Sequence, residues 1–249
     1  MAKKKKKAAK KKRNTKINQT VEDIFSHAAA LTQNGRLRNT IYCLNKKIFI
    51  LNQDSTVLIH FPLRKQDSTF ASPVSFRADD YESKEFLEEG GRIKFITRTD
   101  KYTKTKSCKT PERTPDNVRS LFEKFEKPEG NSVILGSDLF KLLDENLSHI
   151  EFSARKGKLR IVQRDIYSGS IITITKKESV GLNAVASQEL DEFEPIGIRT
   201  QDFAALYAFA DNLEWSFDKN IAWIESTDKR FPMECVIGLC VYDELGKDE

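Results

Sequence analysis

Basic side chains are the most concentrated chemical groups in this sequence. Residues 1–16 contain ten lysines or arginines and no acid, and such a self-repelling segment is expected to be disordered. The rest of the 249-residue chain has 32 basic and 37 acidic residues, so an acidic body carries a cationic arm. Cations at this density bind nucleic-acid phosphates without reading the bases, and the alternative is a solubilising or targeting tail. The arm cations that we expect to contact duplex DNA are Lys3, Lys4, Lys5, Lys6, Lys7, Lys10, Lys11, Lys12, Arg13 and Lys16.

A second basic cluster lies in RIKFITRTDKYTKTKSCKTPER, residues 92–113. Lysine alternates with threonine from Thr103 to Lys106, so a strand would place both of these lysines on one face. We expect phosphate contacts there, and the alternative is an edge strand whose lysines prevent pairing with another edge. The candidate DNA contacts outside the arm are Arg36, Arg38, Arg98, Lys101, Lys104 and Lys106.

No motif of catalysis is present. GNSVILGSD lacks the Lys-Ser/Thr pair of a phosphate-binding loop, and no GxGxxG, GxSxG or HExxH pattern occurs. The carboxylate pairs Asp79/Asp80 and Asp191/Glu192 lie in polar stretches, which favours a solvated surface over a metal site. The four cysteines form no CxxC pair and the three histidines are far apart, which favours buried thiols over zinc ligands. We therefore expect a non-enzyme with no cofactor and no metal.

An amphipathic segment, VRSLFEKFEKPEG, follows the second basic cluster. Val118, Leu121, Phe122 and Phe125 fall on one face of a helix there. This face either packs onto the protein itself, which we favour, or forms a protein-binding edge. On the second hypothesis the partner-binding residues are Leu121, Phe122 and Phe125.

The elements that position these groups repeat along the chain. A helix near Thr20, in TVEDIFSHAAALTQ, precedes the strand candidates RNTIYCLN, KKIFILNQ and STVLIHF. The pattern returns with a short helix at 82–88 before RIKFITRT, with SDLFKLLDENL before HIEFSARKGKLRIVQ, and with TQDFAALYAFADNL before LEWSFDKNIAWIEST. A repeat of this length indicates a supersecondary unit whose copies pack together. We predict an α+β protein with an arm (1–16), a first domain (17–107), a connector (108–130) and a similar second domain (131–249).

A short helix followed by a β-meander, four times in two domains, resembles the sliding clamps of DNA replication. The resemblance covers residues 17–245 and is closest to the two-domain clamps of phages, archaea and eukaryotes. It implies a DNA-clamp-like fold, three subunits that place twelve helices around duplex DNA, and partner peptides docked beside the connector. Clamps present cations on those helices, whereas the predicted second and third helices here offer Lys84 and Lys141 and the fourth offers none.

Two functions follow as hypotheses. One is a homotrimeric processivity factor that tethers a DNA polymerase or another factor to DNA without sequence specificity. The other is a monomer that coats double-stranded DNA from outside through its arm, in phage-type replication and transcription regulation. A scaffold that binds another polyanion is a third reading. No apolar run reaches the ~20 residues of a membrane span, and no signal peptide is apparent, so we expect no membrane partner and a cytoplasmic location, in the host cell if the source is a phage.

Overall fold

The computed structural model describes residues 14–16, 19–33, 39–64, 67, 70, 72–83, 85–89, 92–108, 111–129, 132–137, 139, 147–155, 158–164, 171–174, 193–218, 220–228 and 232–241. Antiparallel strands dominate these ranges. The helices among them are α1 (Gln19–Gln33), α2 (Pro115–Phe122) and α3 (Thr200–Leu206).

The strands divide between the two halves of the chain. The first half contains β1 (Asn14–Lys16), β2 (Asn39–Leu44), β3 (Lys47–Asn52), β4 (Val57–Pro62), β5 (Val74–Arg77), β6 (Glu85–Glu89), β7 (Arg92–Arg98) and β8 (Thr103–Ser107). The second half contains β9 (Ser132–Gly136), β10 (His149–Arg155), β11 (Lys158–Arg164), β12 (Ile171–Ile174), β13 (Phe193–Arg199), β14 (Asn212–Phe217), β15 (Ile221–Ser226), β16 (Glu234–Gly238) and β17 (Cys240–Val241).

Three antiparallel sheets result. A four-stranded sheet has the order β1-β6-β7-β8, and a five-stranded sheet has the order β12-β11-β10-β13-β17. The largest sheet, with eight strands in the order β5-β2-β3-β4-β16-β15-β14-β9, contains strands from both halves of the chain. Its halves meet where β4 pairs with β16, with His60 opposite Glu234 and Ile59 opposite Cys235. The division into two similar domains remains a prediction.

The eight-stranded sheet is apolar on both faces. Along β3, Ile48 and Ile50 join one buried cluster, whereas Phe49 and Leu51 join another on the opposite side. Continuous apolar runs such as IFIL are typical of strands that are buried on both faces. Side chains of α1, α3 and the two smaller sheets cover the first face, which we call the inner face; α2 covers the second, which we call the outer face.

The predicted apolar face of the first helix is confirmed. Val21, Ile24, Phe25 and Ala28 are all buried in α1, and the spacing of these residues places them along one side of the helix. The helix also packs against a 3-10 turn at Ala78–Asp80, next to β5. Burial of this stripe, more than helix propensity, holds α1 in place.

The predicted helix at 82–88 is wrong. Glu85–Glu89 forms β6, which pairs with β1 on one side and with β7 on the other. The segment is rich in helix formers, but helix propensity is weak compared with two flanking strands and a buried Phe86 opposite Phe95.

The arm also differs from the prediction at its end. Asn14–Lys16, which we expected to be disordered, form β1 with Thr15 opposite Phe86. Residues 1–13 lie outside the described residues, as does most of the predicted helix at 137–147.

Two sequence segments fold as hairpins, and three cysteines are buried. HIEFSARKGKLRIVQ contains the hairpin of β10 with β11, and LEWSFDKNIAWIEST contains that of β14 with β15. Cys43, Cys108 and Cys235 are buried free thiols, as expected, and burial raises the pKa of the Cys108 thiol to about 12. No helix in the described ranges combines the length and apolar character needed to cross a bilayer. Across the same ranges, no group of His, Cys, Asp or Glu side chains could hold a metal ion.

Candidate functional site

The connector folds as helix α2 because its sequence supplies the start of a helix. The Thr114 hydroxyl accepts a hydrogen bond from the backbone N–H of Asn117 at 3.3 Å, and Pro115 occupies the first helical position. Asp116 adds a negative charge in the first turn, where the helix dipole favours it. The helix then buries Val118 and Phe122 against the outer face of the eight-stranded sheet.

Phe122 belongs to the core. Its ring centroid lies 5.8 Å from that of Phe49, 5.0 Å from that of His60 and 5.4 Å from that of Trp223. Only 8% of the residue is exposed. Phe122 therefore packs onto strands β3, β4 and β15, as the favoured alternative predicts, and its role in partner binding stays a prediction.

Leu121 and Phe125 stand beside a groove that runs along α2. The groove has a volume of about 590 Å³. Its apolar walls come from the connector and from strands of both halves of the chain, namely Leu51, Leu58, Leu121, Phe125, Ile221 and Val236. Its polar lining includes Ser120 and Asn117, and its charged side chains are Arg113 and Lys124.

The turn between β3 and β4 forms one end of the groove, where Ser55 and Thr56 line it. Ser55 has a backbone φ of 59°, which residues other than glycine seldom adopt. The Asn52 side chain supports the turn by donating to the Thr56 hydroxyl at 2.9 Å and accepting from the Val57 N–H at 2.9 Å. The Thr56 carbonyl accepts from the Gly238 N–H at 2.8 Å, which ties the turn to β16.

Arg199 anchors the same turn to the second half of the chain. Its guanidinium donates to Asp202 at 2.8 and 3.1 Å, to Asp54 at 2.8 Å and to the Thr56 hydroxyl at 2.7 Å. Burial raises the pKa of the Asp202 carboxyl despite these hydrogen bonds from Arg199. Asp202 is thus a buried structural group and presents no acid on the exposed side of α3.

A buried histidine lies beneath α2. His60 Nδ1 donates to Glu234 Oε2 at 2.7 Å, and the imidazole stacks on Phe49 with ring centroids 4.7 Å apart. The hydrogen bond from His60 lowers the pKa of the Glu234 carboxyl. This pair links β4 to β16, where the two halves of the chain meet, and it lies beneath the connector helix.

The predicted DNA contacts on β7 and β8 are largely neutralised by neighbouring acids. Arg98 Nε lies 3.0 Å from Glu85 Oε2, and Lys104 Nζ lies 3.3 Å from Glu82 Oε2. Lys106 Nζ lies 3.2 Å from Glu82 Oε1. Burial would raise the pKa of the Glu82 carboxyl, but the two lysines together lower it.

Lys101 differs from these three cations. Its side chain is exposed and has no ion pair with a described residue. Lys16 ends β1, whereas Arg36, Arg38 and the arm cations from Lys3 to Arg13 lie outside the described residues.

Helices α1 and α3 present no cation on their exposed sides. Ser26, His27 and Ala30 are the exposed residues of α1 with described burial, and neither α1 nor α3 contains a lysine or arginine. The described helices therefore offer phosphates few partners.

The architecture is similar to that of solved clamp structures along most of the chain. A PCNA2–PCNA3 complex from Sulfolobus tokodaii is 12% identical, with a TM-score of 0.57 over 91% of this chain and 99% of that chain. Proliferating cellular nuclear antigen from Entamoeba histolytica is 10% identical, with a TM-score of 0.51 over 92% of this chain and 98% of that chain. This chain has the sliding-clamp fold.

The sliding-clamp fold extends to a bacterial relative in structure. The beta clamp of Helicobacter pylori, solved in complex with 3,4-difluorobenzamide, is 11% identical, with a TM-score of 0.59 over 95% of this chain and 68% of that chain. No protein-family model matches the sequence, and no curated protein matches it. The likeness is therefore one of fold.

Proposed function

We propose that this chain is a non-enzymatic clamp protein that associates with duplex DNA without sequence specificity and tethers a DNA polymerase or another factor to it. The observation that carries this proposal is the connector groove on a body with the sliding-clamp fold. Helix α2 covers only part of the outer face, and apolar walls from both halves stay open beside it. Such grooves are suited to an amphipathic partner segment.

Open sheet edges support an assembly of several copies. Among the described strands, β8 pairs only with β7, and β12 pairs only with β11. Edge strands present unpaired N–H and C=O groups, so β8 of one copy can pair with β12 of the next. This contact is heterologous and closes into a ring if its rotation permits. Three copies, as the clamp resemblance implies, would give a mass near three times 28.5 kDa in light scattering.

Retention on DNA of different topology tests the encircling function. A closed ring should stay on nicked circular DNA through a high-salt wash, because encirclement is insensitive to screening. The same ring should slide off after the DNA is linearised. Removal from both forms by salt alone would contradict encirclement.

The second candidate is a monomer that binds duplex DNA from outside through its arm. The specific observation in its favour is that α1 and α3 contain no cation, whereas residues 1–16 contain ten. If half of the arm cations meet phosphates, the logarithm of affinity should fall with the logarithm of salt with a slope of roughly −4 to −5.

Deletion of residues 2–13 tests this candidate while leaving β1 intact. The deletion removes nine cations and should flatten the salt slope. A control chain of full length, with glutamine in place of these nine cations, separates the loss of charge from the loss of chain. A slope unchanged by either variant, together with a monomeric mass, would contradict both the arm's role and the ring.

A further inference from the structure

The connector groove is positively charged although it lies on an acidic body. Arg113 precedes α2 and Lys124 follows it, so the two cations stand near opposite ends of the helix. Both are exposed, and neither forms an ion pair with a described residue. No aspartate or glutamate is among the described residues that line the groove.

Most other described cations of the body have a carboxylate partner. Examples from three parts of the chain are the pairs Arg77–Asp79, Lys94–Glu89, Arg98–Glu85, Lys104–Glu82 and Lys127–Glu225. Lys46, Arg92 and Lys101 also lack a described partner, but none of them lines the apolar groove. Two unpaired cations beside six apolar side chains are therefore specific to this surface.

No described acid that is adjacent in sequence forms an ion pair with either cation. Glu123 lies 3.5 Å from Lys47 Nζ and 3.9 Å from Arg119 Nε. Glu112 lines a neighbouring groove, which Arg113 also borders. Arg113 and Lys124 thus line the groove without a carboxylate partner among its lining residues.

We propose that the connector groove binds a partner segment whose apolar side chains are flanked by carboxylates. This inference rests on the proposed docking function and specifies the chemistry of the partner. The apolar side chains would lie against Leu121, Phe125 and their strand neighbours. The carboxylates would pair with Arg113 and Lys124, and the planar guanidinium of Arg113 can bind one of them in two parallel hydrogen bonds.

The spacing of the cations limits the motif. An eight-residue helix is about 12 Å long, and extended chain covers ~3.3 Å per residue. Arg113 and Lys124 lie two residues beyond the ends of α2, so an extended partner segment would carry its two acids at least about four or five residues apart, with the apolar residues between them.

The test uses the full-length protein and two short fluorescein-labelled synthetic peptides. One has leucine and phenylalanine between two aspartates at this spacing, and the other has asparagine in place of both aspartates. Fluorescence anisotropy should show about tenfold tighter binding of the acidic peptide at low salt, roughly threefold for each exposed ion pair. The difference should shrink as salt is added.

Matched variants locate the effect. Arg113→Gln with Lys124→Gln should abolish the preference for the acidic peptide. Lys46→Gln with Arg92→Gln makes the same change in net charge at exposed positions outside the groove, and should preserve it.

Several outcomes would overturn the proposal. Equal binding of both peptides would overturn the acidic motif and would leave an apolar docking groove. That result would not affect the retention of the protein on nicked circular DNA. Loss of the preference in the control variant would show that the preference comes from the net charge of the protein and not from the groove. A duplex oligonucleotide can also be added as a competitor of the peptide. If it competes on the native protein but not on the variant Arg113→Gln with Lys124→Gln, these two cations would be assigned to DNA. Peptide binding seen only after removal of residues 242–249, YDELGKDE, would assign the groove to the chain's own acidic tail.

Discussion

The two faces of the eight-stranded sheet are covered to different extents. On the inner face Trp215 is fully buried, and its ring lies 5.2 Å from Phe203 of α3 and 6.0 Å from Phe152 of β10. On the outer face α2 is the cover, and Leu121, Phe125 and Ile221 are only partly buried. Complete packing serves stability, whereas an incompletely covered apolar surface is available to a partner.

The largest expected effect is on the inner face. Phe152→Ala should lower the free energy of unfolding by about 3–5 kcal/mol, because the ring fills the space between Trp215, Phe203 and Phe217 and leaves a cavity when removed. Denaturant unfolding followed by tryptophan fluorescence measures the loss. Phe152→Leu, which keeps most of the volume, should cost less. A loss below about 1 kcal/mol for the alanine variant would contradict close packing there.

The corresponding change on the outer face should be smaller. Phe122→Ala should lower the free energy of unfolding by about 2 kcal/mol, because the neighbouring groove admits water to part of the vacated space. The same unfolding measurement compares it with Phe152→Ala. If both variants lost equal stability, the outer face would be as closely packed as the inner one.

Local sequence patterns predicted the elements that depend on local chemistry. The stripe from Val21 to Ala28 in α1 and the apolar face that includes Val118 and Phe122 in α2 follow from periodicity. The strand β6 was missed because its state depends on β1 and β7, and the helix-forming residues of Glu85–Glu89 gave the opposite signal. Tertiary pairing overrides such propensity.

Only part of the groove lining could be predicted from the sequence. Leu121 and Phe125 stood out on a helical face, but Val236 comes beside Leu58 only because β4 pairs with β16, about 175 residues away in sequence. Continuous apolar runs in β3 and β4 were a usable signal, since they indicate that both faces are buried. The acids beside Lys104 and Lys106 come from a turn more than twenty residues earlier, which the alternating pattern alone does not indicate.

A third prediction separates docking from packing on the outer face. Leu121→Ser with Phe125→Ser should lower the free energy of unfolding by less than about 1 kcal/mol for each residue, because both side chains are partly exposed. The same variant should lose most of its affinity for the acidic peptide, measured by anisotropy. A stability loss as large as that of Phe122→Ala would place these residues in the core. Unchanged peptide affinity would remove them from the docking surface.

The smallest expected effect concerns the pH dependence of the outer face. The hydrogen bond from His60 lowers the pKa of Glu234 in the folded state, so this carboxylate contributes stability above the ordinary glutamate pKa of ~4.3. The contribution is lost as pH falls through the lower folded-state pKa. Because 38% of the Glu234 side chain is exposed, solvent screening should keep the contribution below about 1 kcal/mol.

Glu234→Gln should therefore be slightly less stable than the native chain at neutral pH and should lose less stability between pH ~5 and pH ~3. Denaturant midpoints across that range measure the difference. Phe122→Ala is the control, because it removes packing over the same histidine without removing the carboxylate. If the stability of Glu234→Gln fell as steeply with pH as that of the native chain, the acid sensitivity would belong to other carboxylates. The His60–Glu234 pair would then stabilise the outer face by packing alone.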